Sequence, residues 1–302
     1  MKLVLNVDDD YSHFSFAETA QLVKNAGFDA VDCGLFQMNN PDHELNGTDW
    51  YRYASAFRDT FAATGLPVVQ AHAPFSFKDY ADPVIFEQDI YPKIVRSIEV
   101  AAALGAEHIV VHPLHYADCG NQQEETFECN MKFYRSLIPV CKSNGIKVCV
   151  ENMFTRDKLR GGYITHDSCS RVEEFCRYID ALDSEYMVAC LDIGHTMLVS
   201  GGADTWDFIR ILGRERLQTL HVHDNNYKQD NHVTPFNGQL DWYRVCQALG
   251  EIDYQGNFVY ECVMSRTVHK MAPKMYATAL AYMEKVGRHL IEQIEIARKD
   301  KT

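Results

Sequence analysis

No stretch of this 302-residue chain approaches the roughly 18–20 consecutive apolar residues that cross a bilayer, so no spanning helix is expected. The first residues, Met-Lys-Leu-Val-Leu-Asn-Val, give way at once to Asp8, Asp9 and Asp10, too short an apolar segment for a secretory leader. A cytoplasmic protein is expected. No Cys-x-x-Cys occurs, and several of the ten cysteines fall inside candidate core strands. They are read as free thiols packed as small hydrophobes. Positive charge is scarce: 29 Lys and Arg against 42 Asp and Glu give a formal charge of −13. That disfavours non-specific attraction to nucleic acid or anionic membrane, although a bound metal can invert the field at one site. Low-complexity tracts and Pro/Ser linkers are missing too, so residues 1–302 are expected to form a single domain.

What the chain has instead is a rhythm. Hydrophobic runs at 2–7, 30–34, 67–72, 108–112, 147–151, 187–192, 219–223 and 257–261 read as strands. Between them, 16–25, 49–64, 86–104, 126–143, 170–182, 205–212, 240–249 and 274–297 read as amphipathic helices. Gly27, Gly65, Gly105, Gly145 and Gly250 stand where left-handed helix caps are expected. Eight strand–helix units in succession predict an α/β protein, a (β/α)8 TIM barrel, because eight parallel strands suffice to close.

The strand ends carry the chemistry. Val-Val-Gln-Ala-His72, Ile-Val-Val-His112, Val-Cys-Val-Glu151, Ala-Cys-Leu-Asp192, Thr-Leu-His221 and Asn-Phe-Val-Tyr-Glu261 all finish an apolar run on a metal-binding side chain. A buried polar group is costly without a partner, and six at one barrel rim share a partner most simply in an ion. A lone acid at such a place commonly caps the following helix, but capping does not explain a ring at one face. The longer connections, 73–86, 113–124, 152–168 and 224–239, all follow these strands, where barrel loops build a pocket.

Glu151 and Glu261 end the fifth and eighth strands and can face each other across the mouth. Two carboxylates on either side of a bound sugar suit proton removal beside a carbonyl and proton return on the opposite face. Asp192 and His221 would complete a mixed O/N ligand set with them. Such a set suits Mn²⁺ or Zn²⁺ first, with Co²⁺, Fe²⁺ or Mg²⁺ as alternatives. His195, three residues after Asp192, is a candidate substrate or supporting contact. His72 and His112, followed closely by Pro74 and Pro113, could bind substrate oxygens or further ions. Phe75 and Phe77 could wall a sugar's carbon face, and Arg156, Lys158 or Lys228 could hold a phosphate, though core packing and solvated loop charge are the plainer readings. The segment from His221 to Trp242, with Asp230-Asn-His232 and Pro235-Phe-Asn-Gly238 inside it, is the most distinctive.

With these residues in view, the chain resembles the xylose-isomerase-like TIM-barrel superfamily over nearly its whole length. The markers are Ala-His72-Ala-Pro, Val-His112-Pro, Glu151-Asn, Leu-Asp192-Ile-Gly-His195, His221-Val-His-Asp224, Asp230-Asn-His232 and Tyr-Glu261. It is closest to the sugar (phosphate) isomerases and epimerases, with zinc-dependent apurinic endonucleases as cousins. Resemblance to the epimerases implies Glu151, Asp192, His221 and Glu261 as metal ligands, the two glutamates doubling as acid and base. Resemblance to the endonucleases implies a three-zinc cluster that adds His72, His112, His195, Asp230 and His232. Where many relatives carry Pro-Gly-x-Gly, this chain has Pro235-Phe-Asn-Gly238, which is expected to put a bulky ring beside the pocket.

The expectation is therefore a divalent-metal sugar or sugar-phosphate isomerase/epimerase with a small carbohydrate substrate, possible homo-oligomerisation, and no nucleic-acid or membrane partner. The alternatives are a zinc phosphodiesterase acting on abasic DNA, a dehydratase or C-glycoside-cleaving enzyme on the same scaffold, and a non-enzymatic sugar-binding subunit.

Overall fold

The eight hydrophobic runs are strands bonded edge to edge, all parallel. The computed structural model describes residues 1–8, 14–75, 82–115, 123–157, 159, 161–199, 204–262 and 272–300. The barrel strands are β1 (Leu3–Asp8), β2 (Ala30–Gly34), β3 (Val68–His72), β4 (His108–Val111), β5 (Lys147–Glu151), β8 (Met187–Asp192), β9 (Leu217–His221) and β10 (Phe258–Tyr260). Their order in the sheet is β10-β1-β2-β3-β4-β5-β8-β9. A parallel bridge from Val222 to Tyr260 brings the two ends together, with the Val222 N–H donating to Val259 O at 2.8 Å. This is the expected (β/α)8 barrel. Between β5 and β8 lies an unexpected antiparallel hairpin, β6 (Phe154–Asp157) and β7 (Tyr163–His166), turned through a double glycine at 161–162.

The helices outside the barrel are α1 (Phe16–Ala26), α2 (Trp50–Ala63), α3 (Pro83–Ile85), α4 (Tyr91–Leu104), α5 (Gln123–Asn144), α6 (Val172–Leu182), α7 (Ile193–Leu198), α8 (Thr205–Arg216), α9 (Trp242–Glu251) and α10 (Tyr276–Lys299). A π-turn, Phe86–Ile90, joins α3 to α4. Local chemistry explains several of the boundaries. Ser15 and Glu18 form a reciprocal capping box that starts α1, and Gly27 ends it at φ 103°. Gly250 differs from expectation. It lies inside α9, and a Cβ there would press on Ala297 and the backbone of α10, so it permits close helix packing instead of a cap. No disulfide joins the nine described cysteines, and Cys119 lies outside the described residues. No helix among the described residues is long and apolar enough to cross a membrane.

Strand β9 begins two residues earlier than the sequence suggests. Gly213 leaves helical geometry at φ 67°, ψ 166°, which ends the regular part of α8 and delivers Leu217 to the sheet. His221 is thereby the last strand residue, paired in register with Asp192 of β8. Register also aligns Gly34 with His72 and Glu151 with Cys190, so the polar strand ends share one rim. Parallel strands require this: their carboxyl ends must all face the same way.

Candidate metal centre and active site

Donor atoms of Glu151, Asp192, His221 and Glu261 all lie within 4.8 Å of one another at that rim. Glu151 Oε1 is 2.6 Å from His221 Nδ1, and Glu261 Oε2 is 3.6 Å from the same nitrogen. Asp192 Oδ1 accepts from the His195 N–H at 2.6 Å, capping α7. The Asn152 side chain clamps Asp192 by accepting from its N–H (2.8 Å) and donating to its carbonyl (2.9 Å). The Glu151-Asn marker thus serves to fix a neighbouring strand end.

Two further donor groups flank the first. Donor atoms of His72, His112 and Glu151 converge on one side, and those of His195, His223, Asp230 and His232 on the other. All nine residues singled out from the sequence fall in one continuous arc. His223 belongs with them; the sequence marks it as part of the His221-Val-His-Asp224 segment but gives it no place in the ligand set. Aromatic rings line the arc. Phe75 stacks on His112 at 4.9 Å, Phe36 packs against His72 at 4.9 Å, and Phe154 meets His195 edge-on at 5.0 Å. Phe36 and Phe154 carried no sequence signal beyond being apolar. Phe77 and Lys158 lie outside the described residues, while Arg156 and Lys228 are solvent-exposed. Phe236 does not wall the pocket as expected. Its ring packs beside Tyr243 and His289 on the outer helices and is 45% exposed.

The hydrogen-bond pattern tests whether these residues suit a cation. His72, His195 and His232 each place Nδ1 2.7–2.8 Å from a backbone carbonyl, that of Ala73, Asn152 and Glu261 respectively. A carbonyl only accepts, so each ring spends its Nδ1 proton there and turns the Nε2 lone pair inward, the usual tautomer of a metal-binding histidine. His72 Nε2 then sits 3.1 Å from His112 Nε2, and the latter is 2.9 Å from Glu151 Oε2. That carboxylate oxygen is buried yet has no aligned hydrogen bond. His232 Nε2 likewise faces Asp230 Oδ2 at 2.8 Å. Lone pairs turned toward one another in a buried place fit divalent ions held between them.

The electrostatics separate the two glutamates. Burial disfavours charge on both. For Glu151, the His221 charge and hydrogen bond, with the His112 and His72 imidazoles close by, outweigh burial and hold its carboxyl well below the usual range. For Glu261, burial dominates, repulsion from Glu151 and Asp192 adds to it, and its carboxyl is pushed well above the usual range. The two carboxyls thus stand in unlike surroundings, Glu151 among imidazoles and Glu261 beside other carboxylates. Burial lowers His112 and His232 and keeps them neutral. Burial also opposes charge on His221 and His223, but surrounding acidic groups push both up, His223 to about 9.

Beneath the arc, Asp224 is fully buried and accepts six hydrogen bonds. The donors are the backbone N–H groups of Asn225, Phe236, Gly238, Gln239 and Leu240, and the indole of Trp242. A Cβ on Gly238 would overlap the Asp224 carboxylate. The motif from Asp224 to Trp242 is therefore a loop gathered around one anion, and it delivers Asp230 and His232 to the arc. Inside the barrel, Gln70 Nε2 lies 3.1 Å from His221 Nε2 and its oxygen takes a bond from Thr219, so a polar layer supports His221 from below.

Comparison with known proteins agrees with this architecture. The xylose isomerase-like TIM barrel family matches residues 20–286. An uncharacterised protein of Sinorhizobium fredii is 25% identical over 276 residues, covering 82% of this chain and 81% of its own. A probable endonuclease 4 of Bacillus licheniformis is 26% identical over 175 residues, covering 53% of each chain. Among solved structures, D-psicose 3-epimerase with D-tagatose, from Clostridium cellulolyticum, superimposes with a TM-score of 0.72 at 15% identity, covering 96% of this chain and 99% of that one. The chain belongs to the xylose isomerase-like TIM barrel family.

Proposed function

We propose that this member of the xylose isomerase-like TIM barrel family is a divalent-metal-dependent sugar isomerase or epimerase, free or phosphorylated sugars being its substrate class. The reading is carried by one observation: Glu151 and Glu261 share a four-donor group with Asp192 and His221, their donor atoms all within 4.8 Å of one another at the carboxyl rim of the barrel. Glu151 and Glu261 are the proton-transfer pair: one takes a proton from the carbon beside the carbonyl, and the other supplies one from the opposite face. A divalent ion, Mn²⁺ or Zn²⁺ first, would be held by Glu151, Asp192, His221 and Glu261, where it would polarise the substrate carbonyl and offset the repulsion of the carboxylates. His195 and His72 meet substrate oxygens, and Phe36, Phe75 and Phe154 cover the apolar face of the sugar and exclude water. The sugar epimerase among the structural neighbours supports this choice of substrate.

The test is deuterium exchange. Metal-loaded protein is incubated with a panel of free and phosphorylated ketoses and aldoses in D2O. Deuterium should enter the carbon next to the carbonyl, and Glu151→Gln and Glu261→Gln should each slow entry about 10²–10⁴-fold. Exchange that is absent across the panel, or indifferent to both substitutions, would overturn the assignment.

A second reading is favoured by the two flanking donor groups and the endonuclease relative: a zinc phosphodiesterase acting on abasic DNA. Cleavage of an abasic oligonucleotide by protein carrying three zinc ions per chain would establish it. The net charge of −13 weighs against it.

A further inference from the structure

His223 departs from the pattern of its neighbours. His72, His195 and His232 hand their Nδ1 proton to a carbonyl and present Nε2 as a lone pair. His223 has no such partner: its Nδ1 is buried without a hydrogen bond, and its Nε2 lies 3.0 Å from Asp192 Oδ2. A carboxylate oxygen only accepts, so Nε2 is the nitrogen that carries the proton. The ring is also held in place. It is fully buried, stacks on His232 at 3.9 Å with 13° between planes, and fits only because Gly194 has no Cβ to overlap it. Both oxygens of Asp192 are then occupied on one side, Oδ1 by the His195 N–H and Oδ2 by His223.

We propose that His223 is a positioning residue for Asp192: a proton-bearing imidazole among lone-pair donors that fixes the carboxylate in the orientation from which it binds the ion shared with Glu151, His221 and Glu261. It rests on the reading of Asp192 as an ion ligand. Its place between the two donor groups also sets Asp192 apart from Asp230, whose Oδ1 is 3.8 Å from His223 Nε2.

The experiment is calorimetric titration of metal-stripped full-length protein with Mn²⁺, comparing wild type with His223→Leu and His223→Gln. Leucine fills the space without a donor, and the variant should bind Mn²⁺ about 10–100-fold more weakly, as expected when an outer partner of a ligand is lost. The glutamine amide nitrogen can reach the place of Nε2 and donate, so that variant should recover most of the affinity, within a few-fold of wild type. Leucine equal to wild type would sink the inference. Glutamine as weak as leucine would also overturn it, in favour of direct ligation by the imidazole. If His223→Leu does not fold, the glutamine variant alone decides. A wild-type protein that takes up no Mn²⁺, Zn²⁺ or Co²⁺ would sink the metal reading itself, an outcome distinct from the other two.

Discussion

The donor arc has two halves that are built differently. In one, His72 and Glu151 are the last residues of β3 and β5 and His112 follows β4 directly, so strand register places them. In the other, His195 sits in a short helix after β8, and Asp230 and His232 ride on the loop that Asp224 gathers. Strand-borne ligands inherit the rigidity of the sheet, whereas loop-borne ligands need a local device to hold them. The loop half is therefore the one that single substitutions can dismantle while the barrel stands.

Asp224→Ala should have the largest effect. It strands five backbone N–H groups and an indole in a buried place, and the cost should be on the order of 4 kcal/mol or more. Urea unfolding gives the cost, and metal analysis should find binding by the His72/His112/Glu151 group retained. A variant within about 1 kcal/mol of wild type would mean that the loop has another organiser, and the contrast between halves would fail. Gly194→Ala comes next. Its Cβ would overlap the His223 ring, an overpacking that costs about 1–3 kcal/mol and disturbs the loop half and Asp192 while sparing the His72/His112 end. Equal loss of ion binding at both ends of the arc would show that the halves are not separable.

The smallest effect belongs to His108, at the amino end of β4 and away from either half. Burial, with Lys147 adding repulsion, lowers its pKa below the ordinary imidazole value of 6.5. Below that pH the unfolded chain takes up a proton that the folded one resists, so stability is lost as pH falls through 6.5 toward the lower folded value. His108→Gln should flatten part of the fall in Tm between pH 7 and 5 and leave Mn²⁺ affinity unchanged. A change in affinity would place His108 in the site's support.

The same division decides what could be read from the amino acids. Strand ends announce themselves, because a His or Glu closing a Val/Ile run is costly to bury without a partner, and parallel pairing carries all of them to one rim. Loop residues gave types but not places. Asp230 and His232 were recognisable, yet nothing local says that Asp224 would turn inward to collect N–H groups while His223 turns toward Asp192. Phe236 shows the limit from the other side. A bulky ring at a position where relatives carry glycine suggested an obstructed pocket, but its backbone, at φ 69°, sends the ring out against Tyr243. The hairpin of β6 and β7 escaped notice because its four-residue strands are too short and too polar to show a period.

The place where the cylinder closes has a consequence of its own. Strands β9 and β10 meet through the Val222–Tyr260 bridge, and the residues on either side of that seam are His221 and Glu261. A cation gripped by both would work as a rivet, so that loading the site and locking the barrel shut become the same event.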